Sequence, residues 1–391
     1  MIPKLEQRIR ELIATPSVSS VRPEFDQGNR PVVDLLAEWL ESLAFDIEIQ
    51  PLPGNGEKAN LIATLGRGTG GLVLSGHTDT VPYDAGRWKH DPFGGQEDGG
   101  RIYGLGSADM KSFLAIAIEA AKQFKIDDLA QPLILLATAD EESSMNGARA
   151  LVAADRPKGR FAIIGEPTGL KPVRTHKGII MEAVRLTGHS GHSSNPAFGN
   201  SALEGMHSVL GEILAWRREL QEKYRNPLFA VPVPTLNLGH IHGGDSANRI
   251  CAHCELHIDL RPLPGMNIEE LRAALRSRLV ARMEKSGLEL EVVPLVPGVS
   301  SLETRADSPI VRAAEALTGH SAGSVAFATE APFLDKLGMD TVVLGPGHID
   351  QAHQPDEYLA LDMIQPAIDL LSRLIHQFCV TEARRQEVPR A

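Results

Sequence analysis

The sequence has little of several things that mark particular classes of protein. Only three of its 391 residues are cysteine, and aromatic side chains make up 5%. Three cysteines cannot build a disulfide framework, so we expect a reducing compartment, the cytoplasm. Apolar runs such as 133–137 and 341–344 are strand-sized, far below the roughly 20 residues of a membrane-spanning helix, so we expect no membrane partner. The first residues alternate charged and apolar types, and we expect no signal peptide.

Concentrated positive charge is also missing. The net charge is −11, and no run of lysine and arginine stands out. Because phosphate backbones and anionic lipids attract basic patches, we expect no nucleic-acid partner. Cys251 and Cys254 form a C-x-x-C pair without a second pair, and on a strand they would point to opposite faces, so we expect them to be structural.

The order of patterns predicts two domains, which is also what the length suggests. Strand and helix patterns alternate as far as residue 177, which predicts an α/β fold with a central, mostly parallel sheet. Residues 178–294 then follow a β-α-β-β-α-β order, typical of a small two-layer α+β domain. We therefore predict a catalytic domain of residues 1–177 and 295–391, with residues 178–294 inserted as a dimerisation or lid domain. The last dozen residues are predicted to be a frayed, charged tail.

Five short strings hold the residues that carry chemistry: Gly-His-Thr-Asp at 76–79, Ala-Asp-Met-Lys at 108–111, Asp-Glu-Glu at 140–142, Gly-Glu-Pro-Thr at 165–168 and Gln-Ala-His-Gln-Pro at 351–355. They supply His77, Asp79, Asp109, Glu141, Glu142, Glu166 and His353. Imidazoles with carboxylates suit Zn²⁺, and the surplus of carboxylates suggests two ions sharing a bridge. Two ions with a shared carboxylate and water need about five protein ligands, which leaves two carboxylates for proton transfer.

The strings occupy positions where ligands bind in α/β proteins. Those around His77, Glu141 and Glu166 come just past apolar strands, where loops of open sheets converge on a crevice. Asp109 falls near the start of a helix predicted to begin near Ser107, where the helix dipole favours negative charge. Taken singly, each string also has a plain structural explanation, such as a turn, a helix cap or a solvated loop.

The chemistry suggests a role for each group. His77 can bind a metal while Asp79 fixes its tautomer, and the two oxygens of Asp109 can bridge two ions. Of the adjacent Glu141 and Glu142, one can ligate and the other can accept a proton from water.

The insert adds weaker candidates, each equally compatible with a structural role. A loop at 188–194 carries two imidazoles, one of them His192, and Asn248 and Arg261 end polar strands. Arginine is suited to holding a carboxylate through two hydrogen bonds.

The strings as a set resemble the metal and catalytic motifs of the metallopeptidase M20 family, a family of peptidases and amidohydrolases. The resemblance extends into segments without a metal ligand: 235–245, 248–265, 328–333 and 344–358. It implies a zinc-peptidase-like catalytic domain and a homodimer. It also implies two Zn²⁺ ions, for which Co²⁺ is a plausible substitute.

The resemblance implies a role for every candidate. His77 and Glu166 would hold one ion, Glu142 and His353 the other, and Asp109 would lie between them. Glu141 would be the general base and Asp79 the orienting carboxylate. His192 resembles the histidine that reaches a neighbouring subunit's active site, and Asn248 and Arg261 resemble substrate-binding positions.

The chain is similar, from residue 1 to about 379, to family members that hydrolyse N²-acetyl-L-ornithine to L-ornithine and acetate in arginine synthesis. We therefore expect a metal-dependent deacetylase. Two alternatives stay open: another deacylase of the family, such as a succinyl-diaminopimelate desuccinylase or a general N-acyl-amino-acid deacylase, and a catalytically silent, metal-stabilised binding protein.

Overall fold

The computed structural model describes residues 2–380 and divides them into two compact units. The first unit comprises residues 2–174, 304–323 and 330–380, and the second comprises 175–303 and 324–329. The predicted insert, 178–294, lies within the second unit, which extends beyond both ends of that segment. Met1 and the predicted charged tail from residue 381 onward lie outside the described residues.

The described part of the chain begins with two α-helices, which are followed by five strands before the third α-helix. The α-helices are α1 (Leu5–Ala14), α2 (Arg30–Glu41), α3 (Lys111–Ala121), α4 (Asn146–Ala154), α5 (Ala202–Lys223), α6 (Ile268–Met283), α7 (Pro309–Thr318), α8 (Ala331–Lys336) and α9 (Ile364–Ile375). The strands are β1 (Asp46–Leu52), β2 (Asn55–Leu65), β3 (Leu72–His77), β4 (Gln96–Asp98), β5 (Arg101–Tyr103), β6 (Leu133–Thr138), β7 (Phe161–Pro167), β8 (Val173–His176), β9 (Ile180–Thr187), β10 (Thr235–Gly243), β11 (His253–Arg261), β12 (Glu289–Pro294), β13 (Leu302–Glu303), β14 (Gly323–Val325), β15 (Asp340–Gly345) and β16 (Tyr358–Ala360).

The large sheet of the first unit has the strand order β1-β2-β6-β3-β7-β15-β8. The four middle strands, β6, β3, β7 and β15, are parallel, whereas β1, β2 and β8 add to the edges in antiparallel fashion. Every residue of β3, β6 and β7 is buried, as expected for strands covered on both faces. The predicted α/β class with a central, mostly parallel sheet is confirmed.

Helix α3 is packed closely against this sheet. Almost all of its residues are buried, because it is apolar on every side rather than on one stripe. Gly165 of β7 permits the close approach, since a Cβ there would lie 2.0 Å from the ring of Phe113. A glycine next to Glu166 therefore lets a core helix lie directly under a candidate metal ligand.

Helix α3 begins at Lys111, four residues later than the predicted start near Ser107. The preceding segment is not helical: Met110 has a φ of −138°. The main-chain N–H groups of Gly106, Ala108 and Asp109 donate instead to the carboxylate of Glu357. Asp109 consequently precedes the helix instead of lying in it.

The second unit has a separate sheet with the order β10-β11-β9-β12, in which all neighbours are antiparallel. Its core elements follow one another as β9-α5-β10-β11-α6-β12, which is the predicted order. Ser201 caps α5 and Asn267 caps α6 by accepting main-chain N–H groups of the first turn. Helix α5 packs on β9, β10 and β11, and α6 packs on α5 and β12, so that the unit has a core of its own.

The residue pattern of 249–260 predicts one continuous strand, but strand β11 begins only at His253. The residues before it bond to the loop at 188–194 instead of to the sheet: Ile250 donates to Gly191, and Arg249 pairs with His192. Cys251 therefore lies ahead of the strand, and both it and Cys254 are buried, which corrects the prediction that they share a strand and face opposite ways.

Among the described residues, no helix combines the length and the apolar character needed to cross a lipid bilayer.

Candidate metal centre

The carboxyl ends of the four parallel strands bring the polar strings of the first unit together. His77 is the last residue of β3 and pairs with Thr138, the last residue of β6, so the Asp-Glu-Glu string follows at the same level. On the other side of β3, Glu166 lies near the end of β7, and β15 beyond it leads into the loop that carries His353. Neighbouring parallel strands thus place residues far apart in sequence at one edge.

His77 is held by hydrogen bonds on both ring nitrogens. Its Nε2 lies 3.1 Å from Oδ1 of Asp109, and its Nδ1 lies 2.9 Å from the main-chain oxygen of Asp79. The carboxylate of Asp79 is 3.8 Å from Nδ1 and instead accepts the N–H of Glu142 at 3.0 Å. Asp79 therefore orients the imidazole through its carbonyl group, whereas the sequence suggested its carboxylate.

Asp109 faces two histidines with its two oxygens. Oδ1 is the atom near His77, and Oδ2 lies 3.4 Å from Nε2 of His353. The same nitrogen of His353 is 3.0 Å from Oε1 of Glu142. One carboxylate between two imidazoles is the arrangement that a bridging ligand needs.

Glu141 and Glu166 complete the cluster from the other side of His77. Ligand atoms of His77, Glu141 and Glu166 lie within 4.8 Å of one another, and so do those of His77, Asp109 and Glu142. The two groups share His77, so all five residues converge on one small region. Glu141, the predicted base, is thus as close to His77 and Glu166 as the predicted ligands are to one another.

The pKa values of the cluster reflect negative charge held out of water. Burial, together with the charge of Glu166, raises the pKa of Glu141 well above its usual value. Burial and the charge of Asp109 do the same to the pKa of Glu166, and burial raises the pKa of Asp79 to about 6. These carboxylates crowd a space that lacks enough positive charge to match them.

The two histidines bring positive charge close to these carboxylates. Hydrogen bonds that His353 donates to the carboxylates of Asp109 and Glu142 raise its pKa to about 10. Burial would raise the pKa of Asp109, but its hydrogen bonds to His353 and His77 hold that pKa far below its usual value. Divalent cations would balance the same carboxylates, with both imidazoles bound in their neutral form. The donor set, two imidazoles with converging carboxylates, fits a pair of borderline ions such as Zn²⁺.

Two buried carboxylates of the first unit support this cluster, and the sequence analysis gave them no role. Glu357 accepts the N–H groups of Ala108 and Asp109 at 2.8 and 2.9 Å, four residues after His353. Glu330 accepts the hydroxyl of Ser75, two residues before His77. Both lie in stretches that carried the family resemblance, which was the available signal. Glu357 binds main-chain N–H groups and Glu330 binds a hydroxyl far away in sequence. The spacing of residues along the sequence does not reveal such contacts.

The remaining candidates, His192, Asn248 and Arg261, belong to the second unit. The side chains of His192 and Asn248 are exposed, and their loops are joined by a hydrogen bond from the N–H of Ser193 to the carbonyl of Asn248. Nδ1 of His192 lies 2.7 Å from the hydroxyl of Ser194. Arg261, at the end of β11, forms an ion pair with Asp259 at 2.9 Å, so a bound carboxylate would share its guanidinium with Asp259.

Comparison with known proteins places the chain among metal-dependent hydrolases. The model of peptidase family M20/M25/M40 matches residues 73–377. The acetylornithine deacetylase of Edwardsiella ictaluri (strain 93-146) is 50% identical over 378 residues, which cover 97% of this chain and 98% of that protein. The acetylornithine deacetylase of Pasteurella multocida (strain Pm70) is 49% identical over 378 residues, with 97% and 99% covered.

Solved structures of low identity share the fold. An M20 family metallo-carboxypeptidase from Sulfolobus solfataricus has a TM-score of 0.76 at 18% identity, covering 96% of this chain and 99% of that one. A dinuclear metal binding peptidase of the M20 family from Bacillus subtilis has a TM-score of 0.67 at 16% identity, with 95% and 96% covered.

We predict that Asp109→Asn weakens both metal sites together, because a neutral amide bridges two cations poorly. Changes in groups around a ligand cost about 10–100-fold in metal affinity, so replacing the bridge should cost at least about 100-fold. Glu142→Ala and His353→Ala should mainly empty one site. Titration of Zn²⁺ into the metal-free protein measures both affinities. Asp34→Asn, on the surface of α2, is the control, and two tightly held ions in Asp109→Asn would disprove the bridging role.

Proposed function

Because the chain belongs to peptidase family M20/M25/M40, we propose that it hydrolyses N²-acetyl-L-ornithine to L-ornithine and acetate, a step in arginine synthesis. The proposal is supported by relatives with that activity in their names, about half identical over nearly the whole chain. The observation that carries it is the cluster at the carboxyl edge of the sheet, in which Asp109 lies between two imidazoles with Glu141 close by.

The proposed cofactor is a pair of Zn²⁺ ions, with Co²⁺ as a substitute. His77 and Glu166 would hold one ion, Glu142 and His353 the other, and Asp109 would contact both. Such ions, when bound, polarise an amide carbonyl and lower the pKa of a water molecule to around 7. Support for two ions comes from the two oxygens of Asp109, which already face different histidines.

Glu141 is the proposed general base. Two carboxylates, Asp79 and Glu141, are left over once the five ligands are assigned, and Glu141 is the one within reach of both His77 and Glu166. Divalent cations bound beside it would lower its pKa and keep the carboxylate ionised, so that it could accept a proton. In the reaction Glu141 takes a proton from the attacking water and delivers it to the amine nitrogen as the C–N bond breaks. Asp79 holds His77 in the correct tautomer and holds the N–H of Glu142.

The second unit is proposed to bind the substrate. His192 would donate a hydrogen bond to the oxyanion that forms on the acetyl carbon, a type of contact worth about 3 kcal/mol. Arg261 would bind the α-carboxylate and Asn248 would add a polar contact. The exposure of His192 and Asn248 supports this role, since a dissolved ligand can reach both side chains.

The enzyme is proposed to be a cytoplasmic homodimer whose small-molecule substrate is its principal partner. Cys251 and Cys254 form no disulfide bond, which agrees with a reducing compartment. The second unit offers strand edges, β10 and β12, and a long helix, α5, that could pair with a copy of itself about a two-fold axis.

Turnover of alternative substrates tests the activity directly. With added Zn²⁺ or Co²⁺, we expect N²-acetyl-L-ornithine to be hydrolysed with a higher kcat/KM than N-succinyl-diaminopimelate or other N-acetyl amino acids. A desuccinylase would need room and a cation for a second carboxylate, so a preference for the succinyl compound would redirect the assignment to that activity. Absence of turnover from every substrate, in protein shown to contain metal, would favour a silent binding protein.

Replacement of the base separates metal binding from proton transfer. Glu141→Gln keeps the shape of the side chain but cannot accept a proton, so turnover should fall about 10²–10⁴-fold, the usual size of a general-base contribution. Metal content, measured in the same preparation, should stay at the wild-type level. A metal-loaded Glu141→Gln enzyme with near-normal kcat would show that another group is the base.

Subunit mixing tests whether His192 acts across the dimer. Homodimers of His192→Ala and of Glu141→Gln should both be poor enzymes, but a heterodimer has one site with Glu141 from one chain and His192 from the other. After random exchange about a quarter of wild-type activity should return, since half the dimers are mixed and each has one intact site.

The control for subunit mixing pairs Glu141→Gln with the double variant Glu141→Gln/His192→Ala, which can form no intact site. Verified heterodimers without recovered activity, or a fully active monomer, would rule out action in trans.

A further inference from the structure

An ion-pair cluster lies directly behind the Asp-Glu-Glu turn of the first unit. Oδ1 of Asp140 accepts hydrogen bonds from Nζ of Lys58 at 2.5 Å and from the hydroxyl of Ser19 at 2.9 Å. The ammonium of Lys58 is also 2.7 Å from Oδ1 of Asp26. The side chains of Lys58 and Asp140 are each only 7% exposed. One ammonium therefore joins two carboxylates from separate parts of the chain, almost out of contact with water.

Asp140 itself begins the turn that carries the proposed base and one proposed ligand. Its φ is +60°, in the left-handed region that residues other than glycine seldom adopt. Its carbonyl accepts the N–H groups of Ser144 and Met145 at 3.1 and 2.7 Å, which closes the turn. Glu141 and Glu142 thus extend from a backbone whose conformation is fixed by what holds Asp140.

Lys58 is attached to a rigid part of the fold. It lies on β2, which pairs with β6 from Leu61 onward, and β6 is the strand that leads into Asp140. The next residue, Ala59, exchanges main-chain hydrogen bonds with the side chain of Asn29, which also donates to Thr78 beside His77. The ammonium is therefore held by the same sheet that presents His77.

The electrostatic environment keeps the ammonium of Lys58 charged beside Asp140. Burial lowers the pKa of Lys58, but the hydrogen bonds and charges of Asp140 and Asp26 outweigh it and raise that pKa above its usual value. Lys58 therefore stays protonated at neutral pH. Ser19 strengthens the link, since its hydroxyl also lies 2.6 Å from that of Ser143 within the turn.

We propose that Lys58 is a positioning residue for this site: by holding Asp140, it fixes the 140–145 turn so that Glu142 is placed for metal binding and Glu141 for proton transfer. The inference rests on the proposed function for the role of Glu141, but its contribution to metal binding stands apart from the substrate. Groups that orient metal ligands contribute about 10–100-fold to affinity or activity when they are removed.

Three variants test the proposal. Lys58→Met removes the ammonium and leaves Asp140 buried without its cation, which endangers folding. Lys58→Met/Asp140→Asn removes both charges at nearly constant shape, and Asp140→Asn alone leaves Lys58 paired with Asp26. The control is Arg8→Met/Glu119→Gln, which neutralises another buried ion pair of the same unit, between α1 and α3.

Three measurements are made on each folded protein. They are the affinity of the metal-free protein for Zn²⁺, the amide hydrogen exchange of residues 141–145, and kcat with N²-acetyl-L-ornithine. In Lys58→Met/Asp140→Asn and in Asp140→Asn we expect affinity and kcat each to fall about 10–100-fold, and exchange in the turn to quicken. The control, Arg8→Met/Glu119→Gln, should lose thermal stability. Its affinity for Zn²⁺, its kcat and the amide hydrogen exchange of residues 141–145 should stay at wild-type values.

The outcomes distinguish the positioning role of Lys58 from the proposed hydrolytic function of the chain. Wild-type affinity, kcat and exchange in a folded Lys58→Met/Asp140→Asn or Asp140→Asn variant would overturn the positioning role. Equal losses in the control would also overturn it, because the effect would then be one of general stability. If the wild-type protein fails to hydrolyse N²-acetyl-L-ornithine but the variants still bind Zn²⁺ more weakly, the proposed function fails and the positioning role stands.

Discussion

Buried carboxylates at one edge of a sheet are the constraint on which the rest of this structure depends. An ionised carboxylate out of water is costly unless cations or N–H donors face it. Here Asp109 is faced by two imidazoles, whereas Glu141 and Glu166 respond with raised pKa values. The excess of negative charge makes the region suited to divalent cations, and their binding would in turn return these groups to their ionised forms.

Titratable side chains also support the cluster from outside it. Glu357 holds the main chain before α3, Lys58 holds the turn after β6, and each connects segments that are distant in sequence. Main-chain N–H groups are the partners of Glu357, and the ammonium of Lys58 is the partner of Asp140. Gly165 contributes differently, since its missing side chain lets α3 lie against the sheet beneath Glu166.

Much of this arrangement could be read from the sequence because local patterns determine it. Continuous apolar runs ending in polar strings predicted the parallel strands and the edge at which His77, Glu141 and Glu166 meet, and the fold class is confirmed. Errors arose where a distant partner overrides the local pattern. Helix α3 begins at Lys111, after a non-helical segment whose N–H groups bind Glu357. The loop at 188–194 binds the residues predicted to begin β11.

The sequence by itself determined which residues could carry the chemistry, the family to which they belong and the order of elements in the second unit. Those properties follow from residue type and from spacing along the chain. Only the tertiary structure decided that Asp79 orients His77 through its carbonyl, that the two oxygens of Asp109 face different histidines, and that Lys58 meets Asp140. Contacts of this kind depend on distances of a few ångströms between segments many residues apart, and those distances are set only when the strands pack side by side.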